Sequence, residues 1–214
     1  MNKKITIIVL LNILLICVIY FLFLKAQPYY KSEKIIPAVT DLERSGTRCG
    51  PYIELVVDIN GNINIAGENL SIIKLSEIIK TGIEREGIDI PILLHADKRA
   101  NVSALNPIFQ VLTDKGIYRA CLEVISTSND WFYGFSIAFG DEFNKDADRI
   151  DITIESINLN NKATDYNGIV KYLNTLEKEK WILLNCSGNL KYQSLVDFLT
   201  VCKKNKLYCH LKIN

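Results

Sequence analysis

Between residues 88 and 124 the apolar positions change period twice. Ile90, Ile92, Leu93 and Leu94 fall in a short run of strand length. A charged turn follows at Asp97-Lys98-Arg99, and then Leu105, Ile108, Phe109 and Leu112 recur at three- and four-residue steps, which places them on one helical face. Gly116 stands where a helix-ending glycine belongs, and residues 117–124 alternate as a strand does. The spacing predicts strand, helix, strand.

The same pattern returns from Trp181. Ile92, Leu93 and Leu94 match Ile182, Leu183 and Leu184; Leu105 matches Leu195, Val111 matches Val201 and Tyr118 matches Tyr208. Beyond the tyrosines one residue must be dropped, so that Leu122 and Val124 meet Leu211 and Ile213. A strand shifted by one residue would turn its apolar set to the wrong face. The chain is therefore read as an internal repeat.

Each copy has similar lead-in elements. Residues 52–58 are strand-like, and Asn60-Gly61 is a hairpin signal before the alternating residues 62–65. Ser71 is placed to cap a helix whose buried side is Ile72, Leu75, Ile78, Ile79 and Ile83, with Gly87 ending it. In the second copy, strands at 150–154 and 157–159 turn at Asn160-Asn161, and Asp165 caps a helix carrying Ile169, Val170, Leu173 and Leu176. Trp131 to Phe139 is read as an added strand between the copies. The predicted fold class is α+β: an N-terminal transmembrane helix, then two small two-layer units, each β-β-α-β-α-β. The expected boundaries are an anchor at 1–26, a tether at 27–51, a first unit at 52–140 and a second, divergent unit at 141–214.

The anchor is predicted from hydropathy. Ile5 to Leu24 is almost wholly Leu, Ile, Val and Phe. Roughly twenty such residues at about 1.5 Å each span a bilayer core as a helix. A cleaved signal would end in small residues, whereas Phe21-Leu22-Phe23-Leu24 stays bulky.

Composition narrows the function. Lys and Arg total 25 against 24 acids, a net charge of +1, so nothing in the overall field draws nucleic acid. Outside the anchor, Cys49, Cys121, Cys186, Cys202 and Cys209 are odd in number and show no Cys-x-x-Cys pair, and with only His95 and His210 no zinc spacing emerges. Cys121, Cys202 and Cys209 lie in apolar-patterned segments, so buried thiols are the expected state, with a framework disulfide as the alternative. No cofactor and no metal is predicted.

Asp58-Ile-Asn-Gly61, Ile63-Asn-Ile-Ala-Gly67, Leu93-Leu-His-Ala-Asp-Lys98 and Gly116-Ile-Tyr118, with the layout of short tail, apolar helix, tether and α+β unit, resemble the periplasmic domain of the ExbD/TolR family of biopolymer-transport proteins. The second copy has Cys186-Ser187-Gly188 where the first has Ala-Asp-Lys, and a tandem pair is not the usual family arrangement. The resemblance implies a single-pass protein of the bacterial inner membrane with its bulk in the periplasm. It would serve an envelope transport or energisation complex by partner binding, and would not be an enzyme. The implied partners are a polytopic ExbB/TolQ-like subunit and a TonB/TolA-like protein or peptidoglycan. Either a homo-oligomer or an intrachain pseudo-dimer is expected. An alternative is a cell-envelope binding module with no stator role.

In that family the membrane helix carries an aspartate whose protonation is coupled to proton flow. Here the matching position is Asn12, which hydrogen-bonds but does not titrate. Its expected role is a contact to a partner helix, against the alternative of a tolerated polar residue near the membrane edge. The turn of His95, Asp97 and Lys98 is a candidate partner-binding site, with a plain strand-to-helix turn as the alternative. Trp131, Tyr133 and Phe135 mark a candidate interaction strand, with core packing as the alternative. A hydrolase built on His95 and Asp97 lacks a nucleophile nearby in sequence.

Overall fold

A computed structural model describes residues 35–43, 52–128, 132–140 and 147–214. Residues 35–214 fall in one compact unit. The first strands, β1 (Val39–Thr40), β2 (Ile53–Val57), β3 (Ile63–Ile65) and β4 (Glu68–Leu70), precede α1 (Ile72–Glu86). Then come β5 (Ile92–Ala96), a 3-10 turn (Val102–Leu105), α2 (Asn106–Asp114), β6 (Arg119–Ser126) and β7 (Phe132–Phe139). The pattern repeats as β8 (Asp148–Ile152), β9 (Ile157–Leu159), β10 (Lys162–Thr164), α3 (Tyr166–Leu173), β11 (Trp181–Cys186), α4 (Tyr192–Lys204) and β12 (Tyr208–Ile213).

Local chemistry sets these boundaries as the sequence predicts. Asp58 Oδ1 accepts from the backbone N–H groups of Asn60 and Asn62, and Gly61 takes φ +85° between β2 and β3. Ser71 accepts from Lys74 N–H at the start of α1, and Asp165 from Gly168 N–H at the start of α3. Gly87, at φ +91°, ends α1 by donating to the Ile83 carbonyl. Leu75 and Ile79 are buried on α1 and Ile78 and Ile83 partly so, but Ile72 stays exposed. It lies in the first turn, beside Ile73, also exposed.

The expected fold class is corrected here. Two separate small units are not formed: the strands make one twelve-stranded mixed sheet in the order β10-β9-β8-β11-β12-β7-β6-β5-β2-β3-β4, with β1 beside β6. The joint is β7, antiparallel to β6 and parallel to β12. Isolated units would each leave a strand edge with unpaired peptide groups; β7 covers the edge of β6 along its length and joins that of β12 at two residue pairs. Each half also carries one strand more than predicted. Turns at Ala66-Gly67 and Asn160-Asn161, all at positive φ, fold β4 and β10 back on β3 and β9. The expected transmembrane helix over Ile5–Leu24 lies outside the described residues. Among the described residues no helix is long and apolar enough to cross a membrane.

Outward from β7 the strand order is β6-β5-β2-β3-β4 on one side and β12-β11-β8-β9-β10 on the other. Because β6 and β12 pair with β7 in opposite senses, the two halves run in opposite directions. One face of every long strand feeds a single core. Leu55, Leu94, Leu122, Phe135, Ile150, Leu184 and Leu211 belong to it, together with Ile79, Ile108, Ile169 and Leu195 from the four helices. Cys186, Cys202 and Cys209 are buried free thiols and Cys121 is a half-buried one. Burial pushes the Cys186 thiol up to about 12.

Candidate functional site

The turn after β5 faces its own chain. Asp97, 1 % exposed, accepts from Ile36 N–H (3.0 Å), Arg99 N–H (2.9 Å), Arg99 Nε (2.9 Å) and Arg99 Nη2 (2.7 Å). Burial alone would raise its pKa. The Arg99 side chain, the N–H groups of Arg99 and Ile36 and the Arg99 charge outweigh that and hold it below the usual carboxylate range. Lys98 is half-buried, and its backbone does the work: Lys98 N–H donates to Ile36 O, and Gln193 N–H to Lys98 O.

The effect is to strap residues 36–42 across the molecule, inside the stretch read as a tether. Ile125 N–H donates to Ala38 O, and Thr127 N–H to Thr40 O, which binds β1 to β6. From the second half, Gln193 on α4 both donates to and accepts from the Val39 backbone, at 2.9 Å each way. Thr200 Oγ1 meets Thr40 Oγ1 at 2.9 Å, and Lys204 pairs with Asp41. β1 is thus held by the backbone of one half and the side chains of the other.

His95 occupies a different place from Asp97. Leu94 and Ala96 point into the core, so strand alternation turns His95 to the opposite face of the sheet. There His95 Nε2 lies 2.8 Å from Glu54 Oε1 on β2 and 3.0 Å from Glu123 Oε2 on β6. Glu123 is directly opposite His95 in the ladder, and Glu54 is on the diagonal beside Val56. All three are largely buried, with side chains 4 %, 20 % and 5 % exposed for His95, Glu54 and Glu123. The two glutamates are functional-looking residues that the sequence reading did not single out. Their signal is a charged residue alternating with Ile53 and Leu55, and with Leu122 and Val124, in otherwise apolar strands.

In the second half Asn185 stands at the position of His95. It donates to Asp151 Oδ1 (2.5 Å) and accepts from Asn214 Nδ2 (2.5 Å), while Arg149 holds Asp151 through Nε (2.8 Å) and Nη2 (2.7 Å). His210 lies on the same face, one strand from β7, and its Nε2 donates to the Gly140 carbonyl at 3.0 Å. Among the described residues no group of three His, Cys, Asp or Glu side chains is placed to hold a metal ion.

The candidate interaction strand divides. Trp131 lies outside the described residues. Tyr133 and Phe135, each 4 % exposed and 4.9 Å apart between ring centroids, face the helix-covered core. Their side chains pack the fold. Asn12 also lies outside the described residues. The sequence-predicted residues are therefore not gathered in one site: His95 and Asp97 lie two residues apart but engage separate sets of partners.

Compared with known proteins, the chain matches no family model, no curated protein and no solved structure.

Proposed function

We propose that this chain is a binding and tethering component of a cell-envelope complex, of the ExbD/TolR-like kind, held at the bacterial inner membrane by its apolar N-terminal sequence with its bulk in the periplasm. The observation that carries the reading is the repeat of one strand order on both sides of β7. The family that the sequence resembles works as dimers, and a doubled half-sheet would supply in one polypeptide what a pair of chains supplies there. His95 and Asp97 support binding over catalysis, because the His95 Nε2 and both carboxylate oxygens of Asp97 are engaged with groups of their own chain. In this reading the partner is a polytopic ExbB/TolQ-like subunit, and Asn12 contributes a fixed polar contact without carrying a proton.

Purification of the tagged full chain from its native membranes in mild detergent tests this. The expected result is a multi-span membrane subunit recovered in fixed ratio, with recovery reduced by Asn12→Leu. Recovery of the chain alone, or from the soluble fraction, would overturn the reading.

A further inference from the structure

Strand β7 is fully paired on one edge and almost unpaired on the other. It pairs with β6 from Phe132 to Ala138, but with β12 only through Ala138–His210 and Phe139–Leu211. β12 begins at Tyr208, only two residues before those pairs, so β7 runs on past its start, and beside it lies a groove of about 440 Å³ lined by residues 135–138 on one side and Trp181, Leu207 and Tyr208 on the other. That volume is in the ~300–1,000 Å³ range of ligand clefts.

The direction of the free peptide groups follows from the ladder. Phe139 N–H donates to the Tyr118 carbonyl on the β6 side. In an antiparallel pair the bonding direction alternates by residue, so Ile137 and Phe135 also point toward β6. Gly134 and Ser136 therefore direct their N–H and C=O groups to the open edge. Both are exposed. Among the described residues no strand pairs with them there.

The rim adds chemistry. Trp181 and Tyr208 sit 5.3 Å apart between ring centroids, with Tyr208 48 % exposed. Arg119, Lys203 and Lys206, all exposed, line the groove against one carboxylate, Glu179. An apolar floor, an open row of peptide groups and a cationic rim suit one occupant.

We infer that this groove takes an extended acidic peptide, which adds to β7 as a strand and pairs the carboxylates of its helix-side face with Lys203 and Lys206. Backbone pairing supplies affinity and alternate side chains supply selection. The inference rests on the binding-component reading and names a second partner surface for it.

The test uses the full chain in detergent with Trp131→Phe, which leaves Trp181 as the only tryptophan of the two in the chain. The probe is a capped seven-residue peptide alternating glutamate and valine. The expected result is saturable Trp181 fluorescence change, at least tenfold weaker for the same peptide N-methylated at alternate residues. It is also at least tenfold weaker after Lys203→Glu with Lys206→Glu, exposed positions at which circular dichroism identical to that of the parent protein establishes the fold. No binding of the probe, equal binding of the N-methylated peptide, equal binding of a lysine–valine peptide, or a response only to the sugar N,N′,N″,N‴-tetraacetylchitotetraose would each overturn it. Recovery of a multi-span subunit in the purification above is unaffected by these outcomes, so the two readings fail separately.

Discussion

The two halves share one strand order and differ on the sheet face turned from the helices. Inward positions agree closely: Leu94 and Leu184, and Leu122 and Leu211, fill equivalent places in a single core. Outward positions do not. The first half sets an imidazole between two carboxylates, and the second sets an amide beside an Arg149–Asp151 pair. Packing fixes the inward set, since a change of period or volume there is felt across the core. The outward set is free to diverge, and there the halves have acquired different chemistry.

The core is where this comparison is most easily broken. Leu94→Ala and Leu184→Ala, at positions with no exposed surface, should each cost about 2–5 kcal/mol. Both should shift one urea transition, followed by circular dichroism and by fluorescence, because the buried cluster spans both halves. Two transitions, each moved by only one variant, would mean that the halves fold independently.

The turns after β5 and β11 should differ more sharply than the cores. Asp97→Ala removes an acceptor of four hydrogen bonds and is expected to cost about 1.5–3 kcal/mol, against well under about 1 kcal/mol for Ser187→Ala at the matching place. It should also speed proteolysis within residues 36–42. The pH dependence has a definite sign. The folded-state pKa of Asp97 is lowered, so its stabilising contribution is present above the ordinary value of about 3.9 and fades as pH falls through the folded value. The stability gap between the protein and Asp97→Asn, measured by urea unfolding, should be larger at neutral pH than near pH 3. A gap that widens in acid would contradict the assignment.

The smallest expected effect is at the caps. Ser71→Ala and Asp165→Ala should each lose about 1 kcal/mol, because α1 and α3 start by the same device in both halves. A loss confined to one half, seen in thermal melts of the paired variants, would show that the duplicated helices no longer carry equal weight.

What could be read from the sequence was what neighbours decide. Ser71, Asp165, Asn60-Gly61 and Gly87 act within a few residues of themselves, and the strand periods of 92–96 and 182–186 are long enough to register. The strands β4 (Glu68-Asn69-Leu70) and β10 (Lys162-Ala163-Thr164) carry one apolar residue each, unlike β3 and β9, and β1 spans only two residues, so no period shows in them. Fusion into one sheet depends on β7 finding β12 across the chain, which no local pattern encodes. The partners of Asp97 were equally hidden, since Ile36 lies 61 residues away in a stretch whose prolines and charges suggested only a linker. His95 stands out in the sequence by its type, but Glu54 and Glu123 join it only where β2, β5 and β6 lie side by side.

If the chain is held from its N-terminal side, the strap of residues 36–42 makes the junction of the halves the place where a pull would be borne. A pull entering at residue 35 reaches the Asp97 carboxylate first, then the β6 backbone, then Gln193, and last the Lys204–Asp41 pair. Load would therefore pass from the first half to the second in sequence, with β1 as the shared splice.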